Sequence, residues 1–222
     1  MIRLDQVSKD YIGASTFRAL KDVNLHIARG EAVAVTGPSG SGKTTLLHLM
    51  GLIHQPTAGR VEIDGRDTSQ MSDNERSGVR GRSIGFVFQA FHLVPHLTLL
   101  ENASLPLLYL GMPHRERVTR AAACLERVGL GHRLHRLPRE ISGGESQRAA
   151  VARALAADPP VILADEPTGN LDAANSGRII EDLFALHAGG KTLVVITHDN
   201  TIADRFPRRI RIFDGNVEGG AA

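Results

Sequence analysis

The sequence is poor in cysteine and in aromatic residues. Among its 222 residues there are one cysteine, no tryptophan and only 4% aromatic side chains. Because a single cysteine allows no disulfide within the chain, a disulfide-stabilised secreted domain is excluded and a reducing compartment is favoured. Cys124 lies in an alanine-rich run with helical spacing, which predicts a small buried side chain rather than a reactive thiol.

Long apolar runs and a strong net charge are also missing. No apolar run approaches the roughly 18 residues that a membrane-spanning helix needs, and the N-terminal residues lack the apolar segment of a signal peptide. We therefore expect a soluble, cytoplasmic chain that reaches a membrane only through a partner. A net charge of +2 is not the strong excess that is typical of nucleic-acid binders, so no nucleic-acid partner is expected.

Apolar runs of strand length alternate with segments of helical periodicity. This alternation predicts an α/β fold with a parallel sheet. Two early strands and the segment 59–65 predict an antiparallel β piece beside it. We expect one domain over 1–222, in which 1–89 and 159–222 form the catalytic core with its β subdomain. Residues 90–158 are expected to form an inserted α-helical subdomain.

Short patterns also predict where single elements begin or end. The first strand alternates from Ile2 to Val7. Thr98 is predicted to cap a helix with Glu101 as its partner, and Pro106 is expected to limit or kink that helix. The alternating strand 208–213 is followed by Asp214-Gly215, which predicts a hairpin.

A glycine-rich loop follows the apolar strand that ends at Thr36 and precedes a helical run. Its residues are Gly37, Pro38, Ser39, Gly40, Ser41, Gly42, Lys43, Thr44 and Thr45. They match the phosphate-binding pattern G-x-x-x-x-G-K-[ST] without a mismatch. The glycines let several backbone N–H groups converge on one anion, and the helix adds its positive N-terminal dipole. Lys43 can reach the β- and γ-phosphates of ATP, and the Thr44 hydroxyl can bind Mg²⁺.

Two carboxylates follow the apolar strand 161–164. In a parallel sheet they emerge at the carboxyl edge, from which the phosphate loop also starts. Asp165 is therefore predicted to bind Mg²⁺, directly or through water. Glu166 is predicted to polarise a water molecule for attack on the γ-phosphate.

Ser142, Gly143 and Gly144 precede a further helix. Two glycines and a hydroxyl at a helix N-terminus can bind an anion. By itself, however, Ser-Gly-Gly more often forms a helix cap. Only the other motifs of the chain favour its interpretation as an anion site.

Six motifs follow one another in an order that resembles the nucleotide-binding subunits of ABC transporters over essentially the whole chain. They are the phosphate loop 37–44, Gln89 after a strand, the signature Ile141 to Glu145, the strand ending in Asp165-Glu166, Gly169 to Asp172, and Thr197 to Asp199. The signature combined with a phosphate loop separates this family from other P-loop ATPases such as recombinases and helicases. The resemblance implies a P-loop NTPase fold with a RecA-like core.

The resemblance also implies roles for single residues. Tyr11 would stack on adenine, and His198 would hydrogen-bond the γ-phosphate. Gln89 would contact the Mg²⁺ or the attacking water and couple that region to a partner. Asp172 would line the contact between two copies of the chain.

The signature, with Ser142, Gly143, Gly144 and Glu145, would bind the γ-phosphate of ATP held by a second copy. Two copies would then bind two ATP molecules head to tail, and hydrolysis would separate them. The chain departs from the usual signature at Ile141, where leucine is usual, and at Ser146, where glutamine or arginine is frequent. Neither change removes a catalytic position, so an active hydrolase is expected.

The apolar loop at 89–99 is the candidate contact for a membrane permease. Phe91, Leu93, Val94 and Leu97 would line the groove. Ordinary packing against the helical insertion explains the same apolar side chains equally well, and the sequence leaves both interpretations open.

A narrower resemblance points to the branch that serves lipoprotein release, macrolide export and mechanotransmission. It is carried by Asp165 to Asp172, Glu101-Asn102, Leu105 to Leu107, and Leu108 to Gly111. The chain would be a transport-coupled ATP hydrolase, a translocase subunit on the inner face of the cell membrane. One alternative is an ATPase that regulates a membrane protein, such as a cell-division or cell-wall hydrolase system, without moving a substrate. A soluble ABC ATPase of DNA repair or translation fits less well, because the chain has neither a long coiled-coil insertion nor a second ATPase module.

Overall fold

The computed structural model describes residues 1–13 and 16–218. Its strands are β1 (Ile2–Ile12), β2 (Thr16–Ile27), β3 (Ala32–Thr36), β4 (Ala58–Ile63), β5 (Arg66–Asp67), β6 (Ile84–Phe88), β7 (Val161–Asp165), β8 (Thr192–Ile196), β9 (Arg208–Phe213) and β10 (Asn216–Glu218). Its α-helices are α1 (Lys43–Met50), α2 (Asp73–Ser83), α3 (Leu99–Tyr109), α4 (His114–Arg127), α5 (Gly143–Leu155), α6 (Ala173–Ala188) and α7 (Asn200–Ala203). The described residues fall into two compact units. The first unit holds residues 1–80 and those from 191 onward, and the second holds 81–190.

The first unit contains an antiparallel sheet with strand order β2-β1-β4-β5, as the sequence predicts. β1 continues to Ile12, well beyond the end that the apolar alternation indicates at Val7. The pairing of β1 with β2 shifts register between Leu4 and Val7, and Gln6 has a left-handed backbone with φ 49°. This irregularity buries both Val7 and Ser8. The alternation therefore stops while the hydrogen-bonded ladder goes on.

A second group of strands in the first unit is mainly parallel. β3 pairs in parallel with β8 and with β9, and β10 pairs antiparallel with β9. All five residues of β3 are buried, which explains why the first four are apolar without interruption. The β9–β10 pair turns at Asp214-Gly215, which confirms the predicted hairpin.

The second unit combines the parallel pair β6–β7 with helices α3 to α6. Strand β6 packs closely on α5 at Gly85. A Cβ built on Gly85 would lie 2.4 Å from the carbonyl oxygen of Ala154 and 2.9 Å from Cδ1 of Ile162. Only glycine allows the strand and helix to approach this closely.

Helix α3 begins where the sequence predicts a cap. The Thr98 side chain accepts a hydrogen bond from the backbone N–H of Glu101, and the Glu101 carboxylate accepts one from the backbone N–H of Thr98 at 2.7 Å. This confirms the predicted pairing. Pro106 does not end the helix, because α3 continues to Tyr109.

Candidate nucleotide-binding site

The phosphate loop lies in the first unit, between β3 and the start of α1 at Lys43. The ammonium group of Lys43 donates to the carbonyl oxygens of Gly37 at 2.9 Å and of Pro38 at 2.8 Å. The loop thus curls around the lysine head group. An ammonium has three donors, so this arrangement holds the positive charge at the loop and leaves a donor for a phosphate oxygen.

Two glycines of this loop are required by contacts that lie far away in the sequence. Gly37 has φ 154°, and a Cβ there would lie 2.1 Å from the carbonyl oxygen of Ile212. Gly42 has φ 106°, and a Cβ there would lie 2.6 Å from the carbonyl oxygen of Ala19. Side chains are excluded at both positions because backbone atoms of β9 and β2 already occupy the space.

The polar groups of the loop fit a bound phosphate. Gly42 is the N-cap of α1 and gives it no side-chain hydrogen bond, so the first N–H groups of the helix lack that competitor. Ser41 Oγ is buried and has no hydrogen-bond partner among the residues that the structure describes. A buried hydroxyl without a partner is costly unless a ligand or water satisfies it. Both observations match the residues to an anion.

Tyr11 also lies in the first unit, and the residue is 37% exposed. Its hydroxyl group is 3.0 Å from Nδ1 of His54 and 3.5 Å from Oγ1 of Thr45 in α1. The structure therefore brings Tyr11 to the helix that the phosphate loop precedes. Sequence reasoning missed His54, since a single histidine after a helix gives no signal of its own.

His198 follows β8 and is exposed. It shares an open cleft of about 530 Å³ with Gly37 and Pro38 of the phosphate loop. Arg209 and Arg211 of β9 line the same cleft. Glu218 lines it as well and lies 3.8 Å from Arg211. The structure thus places His198, the residue predicted to hydrogen-bond the γ-phosphate, beside the phosphate loop.

In the second unit, Asp165 ends β7 and Glu166 follows it with a left-handed backbone, φ 46°. This conformation is uncommon for a residue with a side chain. The next carbonyl, that of Pro167, accepts a hydrogen bond of 2.7 Å from Nε2 of the fully buried Gln147. Gln147 therefore ties α5 to the turn that carries the predicted base. Its position inside an alanine-rich helix gave no hint of this contact.

Gln89 lies against the segment that follows Glu166. Its Nε2 donates to Oδ1 of Asn170 at 3.2 Å, and Nδ2 of Asn170 donates back to the Gln89 carbonyl oxygen at 3.0 Å. A Cβ on Gly169 would lie 2.6 Å from Nε2 of Gln89. The predicted coupling residue is thus paired with the turn between Glu166 and Asp172, within a single unit.

The signature forms the start of α5. Ser142 is the N-cap: its Oγ accepts from the N–H of Glu145, and the Glu145 carboxylate accepts from the N–H and the hydroxyl of Ser142, both at 2.9 Å. The backbone hydrogen bond and then the side-chain bond from Ser142 lower the pKa of Glu145. The carboxylate of Glu145, predicted as a nucleotide contact, is engaged in this cap. The structure thus confirms that Ser-Gly-Gly forms a helix cap, and its role as an anion site stays a prediction.

Asn175 joins the signature to Asp172. Asp172 caps α6 by accepting from the N–H of Asn175 at 2.9 Å, and it accepts from Nδ2 of Asn175 at 2.7 Å. These bonds lower the pKa of Asp172, the backbone bond most strongly. A Cβ on Gly144 would lie 2.4 Å from Oδ1 of Asn175. The second glycine of the signature is therefore packed directly on the side chain that fixes Asp172.

The order of phosphate loop, signature and acidic strand end along the chain agrees with the comparisons to known proteins. The family model described as ABC transporter matches residues 20–169. This chain belongs to the ABC transporter family. It is the ATP-binding subunit of such a transporter and an ATP hydrolase. Nothing in the comparisons favours the alternative, a regulatory ATPase that moves no substrate.

Two relatives represent the branch that the sequence indicates. The lipoprotein-releasing system ATP-binding protein LolD of Aquifex aeolicus is 42% identical over 99% of this chain and 96% of its own length. The macrolide export ATP-binding/permease protein MacB of Chlorobaculum tepidum is 46% identical over 98% of this ABC subunit, which spans 33% of MacB. The predicted resemblance to this branch is confirmed.

A solved structure supports the fold. The ATP-binding cassette MJ0796 of Methanocaldococcus jannaschii, as a dimer in a post-hydrolysis state with ADP and Pi, matches with a TM-score of 0.91 and 45% identity. The match covers 98% of this ABC subunit and 97% of that chain. The predicted fold class is confirmed. Across residues 1–13 and 16–218, no helix is both long and apolar enough to cross a bilayer.

Proposed function

We propose that two copies of this ABC subunit bind and hydrolyse ATP head to tail and drive a separate transmembrane permease, in export, lipoprotein release or mechanotransmission. The observation that carries the proposal is the Asn175 cluster. It packs the signature glycine Gly144 and the predicted dimer residue Asp172 onto one side chain. The signature, which is assigned to the partner copy's ATP, and Asp172, which is assigned to the contact between the copies, are thus joined within the second unit before any partner binds.

The catalytic and signature functions belong to the two parts of the chain that the sequence predicts. Residues 1–89 and 159–222 act as the catalytic core with its β subdomain, and 90–158 act as the helical subdomain that presents the signature. The dimer works in the cytoplasm and is held at the inner face of the membrane by the permease. The support is the family membership and the dimeric relative.

The phosphates of ATP are held mainly by the first unit. Lys43, fixed by the carbonyls of Gly37 and Pro38, donates to the β- and γ-phosphate oxygens. The hydroxyl of Ser41 and the first N–H groups of α1 complete the cradle. Glycines at 37, 40 and 42 keep the backbone close to the anion.

The oxygen donors of Thr44, Asp165 and Gln89 suit Mg²⁺, a hard cation that prefers carboxylate, hydroxyl and carbonyl oxygens. When bound, Mg²⁺ would neutralise charge on the phosphates. Thr44 lies in the first turn of α1, Asp165 ends β7 and Gln89 follows β6. This placement restricts their orientation before any ligand binds.

Glu166 accepts a proton from the attacking water, and His198 donates to the γ-phosphate. The left-handed turn at Glu166 is held by the bond between Gln147 and Pro167. Gln89 is coupled to the position of this turn through its hydrogen bond to Asn170. Because phosphoryl transfer needs chiefly positioning and charge neutralisation, fixed side chains of this kind account for the chemistry.

Substituting the base tests this chemistry. Glu166→Gln should bind ATP, lose hydrolysis and accumulate as an ATP-bound dimer, measured by phosphate release and by size-exclusion chromatography with light scattering. Glu126→Gln, an exposed carboxylate on α4, is the matched control. Hydrolysis at the parental rate by Glu166→Gln would show that the assignment of the base is wrong. An ATP-bound species that stays monomeric would contradict the head-to-tail dimer.

The permease is proposed to dock on the apolar loop 89–99. This loop is preformed: Asn102 of α3 binds both the N–H and the carbonyl group of Val94, at 2.7 and 3.1 Å. Phe91, Leu93, Val94 and Leu97 are each partly exposed, so they are accessible to a partner.

Charged substitutions in that loop test the docking. Phe91→Asp with Leu93→Asp should keep the basal ATPase rate and lose stimulation by the co-purified permease in proteoliposomes. Phe213→Asp, which changes an exposed aromatic of β9, is the control. Full permease-stimulated activity in the double variant would remove this loop from the interface.

A further inference from the structure

Tyr11 is held by its hydroxyl group. The distance of 3.0 Å to Nδ1 of His54 is that of a good hydrogen bond, whereas 3.5 Å to Oγ1 of Thr45 is at the edge of the range. The two rings meet edge to face, with centroids 5.9 Å apart and planes at 72°. His54 is therefore the main polar anchor of Tyr11 among the residues that the structure describes.

His54 is itself fixed from several directions. Its ring lies 5.0 Å from that of His48 at 66°, and its backbone N–H donates to the His48 carbonyl oxygen at 3.2 Å. The neighbouring carbonyl of Gln55 accepts from the ammonium of Lys9 at 2.8 Å. The same ammonium lies 5.3 Å from the centre of the Tyr11 ring. Strand β1, helix α1 and the segment after α1 thus share one cluster around the tyrosine.

The charge state of His54 decides which group donates in the hydrogen bond between the Tyr11 hydroxyl and Nδ1 of His54. Burial, and then the nearby Lys9 ammonium, lower the pKa of His54. Burial, and then His54, lower the pKa of His48. A neutral imidazole can accept at Nδ1 while it carries its proton at Nε2. The Tyr11 hydroxyl is then the donor, and its ring is restrained at the hydroxyl end as well as at Cβ.

We propose that His54 is a positioning residue for the nucleotide base: by accepting the hydrogen bond from the Tyr11 hydroxyl, it holds the tyrosine ring in the orientation that stacks on the purine. The inference rests on the proposed function, because it requires that Tyr11 contacts adenine. With 37% of Tyr11 exposed, the ring offers area to a base while its hydroxyl end is anchored. A ring that is already oriented loses less freedom on binding, so the anchor raises affinity.

Binding measurements on the intact chain test the proposal. His54→Ala should weaken ATP binding by about threefold to tenfold, the range expected for loss of one neutral hydrogen bond. His54→Asn should restore most of the affinity, because its amide oxygen can reach the place of Nδ1. Inorganic tripolyphosphate has no purine, so the parent, His54→Ala and His54→Asn should bind it with the same affinity. His26→Ala, an exposed histidine of β2, is the control.

A double-mutant cycle separates positioning from a general structural role. In a Tyr11→Phe background, which keeps the ring and removes the hydroxyl, His54→Ala should have no further effect on ATP affinity. The proposal would be overturned if His54→Ala weakened ATP binding in the Tyr11→Phe background as much as it does in the parent. It would also be overturned if His54→Ala weakened tripolyphosphate binding as much as ATP binding. Parental ATP affinity in His54→Ala, with Tyr11→Ala weakened, would overturn the positioning role alone. Parental affinity in Tyr11→Ala would overturn the stacking role and the positioning role together.

Discussion

Arg153 of α5 supports the loop that is proposed to meet the permease. Its Nη2 donates to the Phe91 carbonyl oxygen at 2.7 Å, and its Nη1 donates to the carbonyl oxygen of His92. Both acceptor residues have left-handed backbones, with φ 58° and 48°. Such conformations cost about 1 kcal/mol or more each, so the loop needs external bonds to keep its shape.

Replacing Arg153 by methionine removes both donors and keeps most of the aliphatic volume. A hydrogen bond from a charged group contributes about 1.5–3 kcal/mol, so the two bonds amount to roughly 3–6 kcal/mol before desolvation is subtracted. Burial lowers the pKa of Arg153, which shows that the guanidinium is held at a desolvation cost that methionine would not have. We expect a net loss of about 2 kcal/mol in the free energy of unfolding and about 4–8 °C in Tm.

Thermal unfolding and amide hydrogen exchange measure the two consequences. Arg153→Met should lower Tm, and the amides of residues 90–97 should exchange faster than in the parent. Arg139→Met, an exposed arginine of the same unit, is the matched control and should change neither. If Arg153→Met has the Tm of the control and parental exchange in this loop, the guanidinium does not support the loop and the reasoning fails.

Three shorter predictions concern other contacts. Lys43→Ala should weaken ATP binding itself, seen by calorimetry, because it removes the cation held at the phosphate loop, and unchanged affinity would contradict that role. Gly85→Ala should destabilise the second unit by about 2 kcal/mol in denaturant unfolding, because the added methyl overlaps the Ala154 carbonyl oxygen; an unchanged midpoint would show that strand and helix can separate at no cost. The backbone bond and then the side-chain bond from Thr98 lower the pKa of Glu101 from 4.5, so this cap contributes stability that is full above pH 4.5 and is lost as the pH falls through the lowered value. Glu101→Gln can still cap the helix but cannot be protonated, so it should not lose this stability at low pH. If the free energies of unfolding of the variant and the parent changed in parallel with pH, the link between the Glu101 pKa and stability would be refuted.

The sequence by itself determined the features that local chemistry controls. The phosphate loop, the cap formed by Thr98 and Glu101, and the β9–β10 turn each depend on residues a few positions apart. Their patterns therefore carry the geometry directly, and each lies where the sequence predicts. The alternation of apolar runs also identified the parallel strands, since buried strands need apolar residues on both faces.

Only the tertiary structure decided how the predicted residues are held. Tyr11 depends on His54, the turn at Glu166 on Gln147, and the apolar loop on Arg153. In each case the partner is distant in sequence, and a single polar side chain produces no periodicity from which its contact could be predicted. The same holds for the glycine at position 37, which is required by a carbonyl of β9. The residues predicted to perform the chemistry could be identified from the sequence, whereas the contacts that hold them could be identified only in the folded chain.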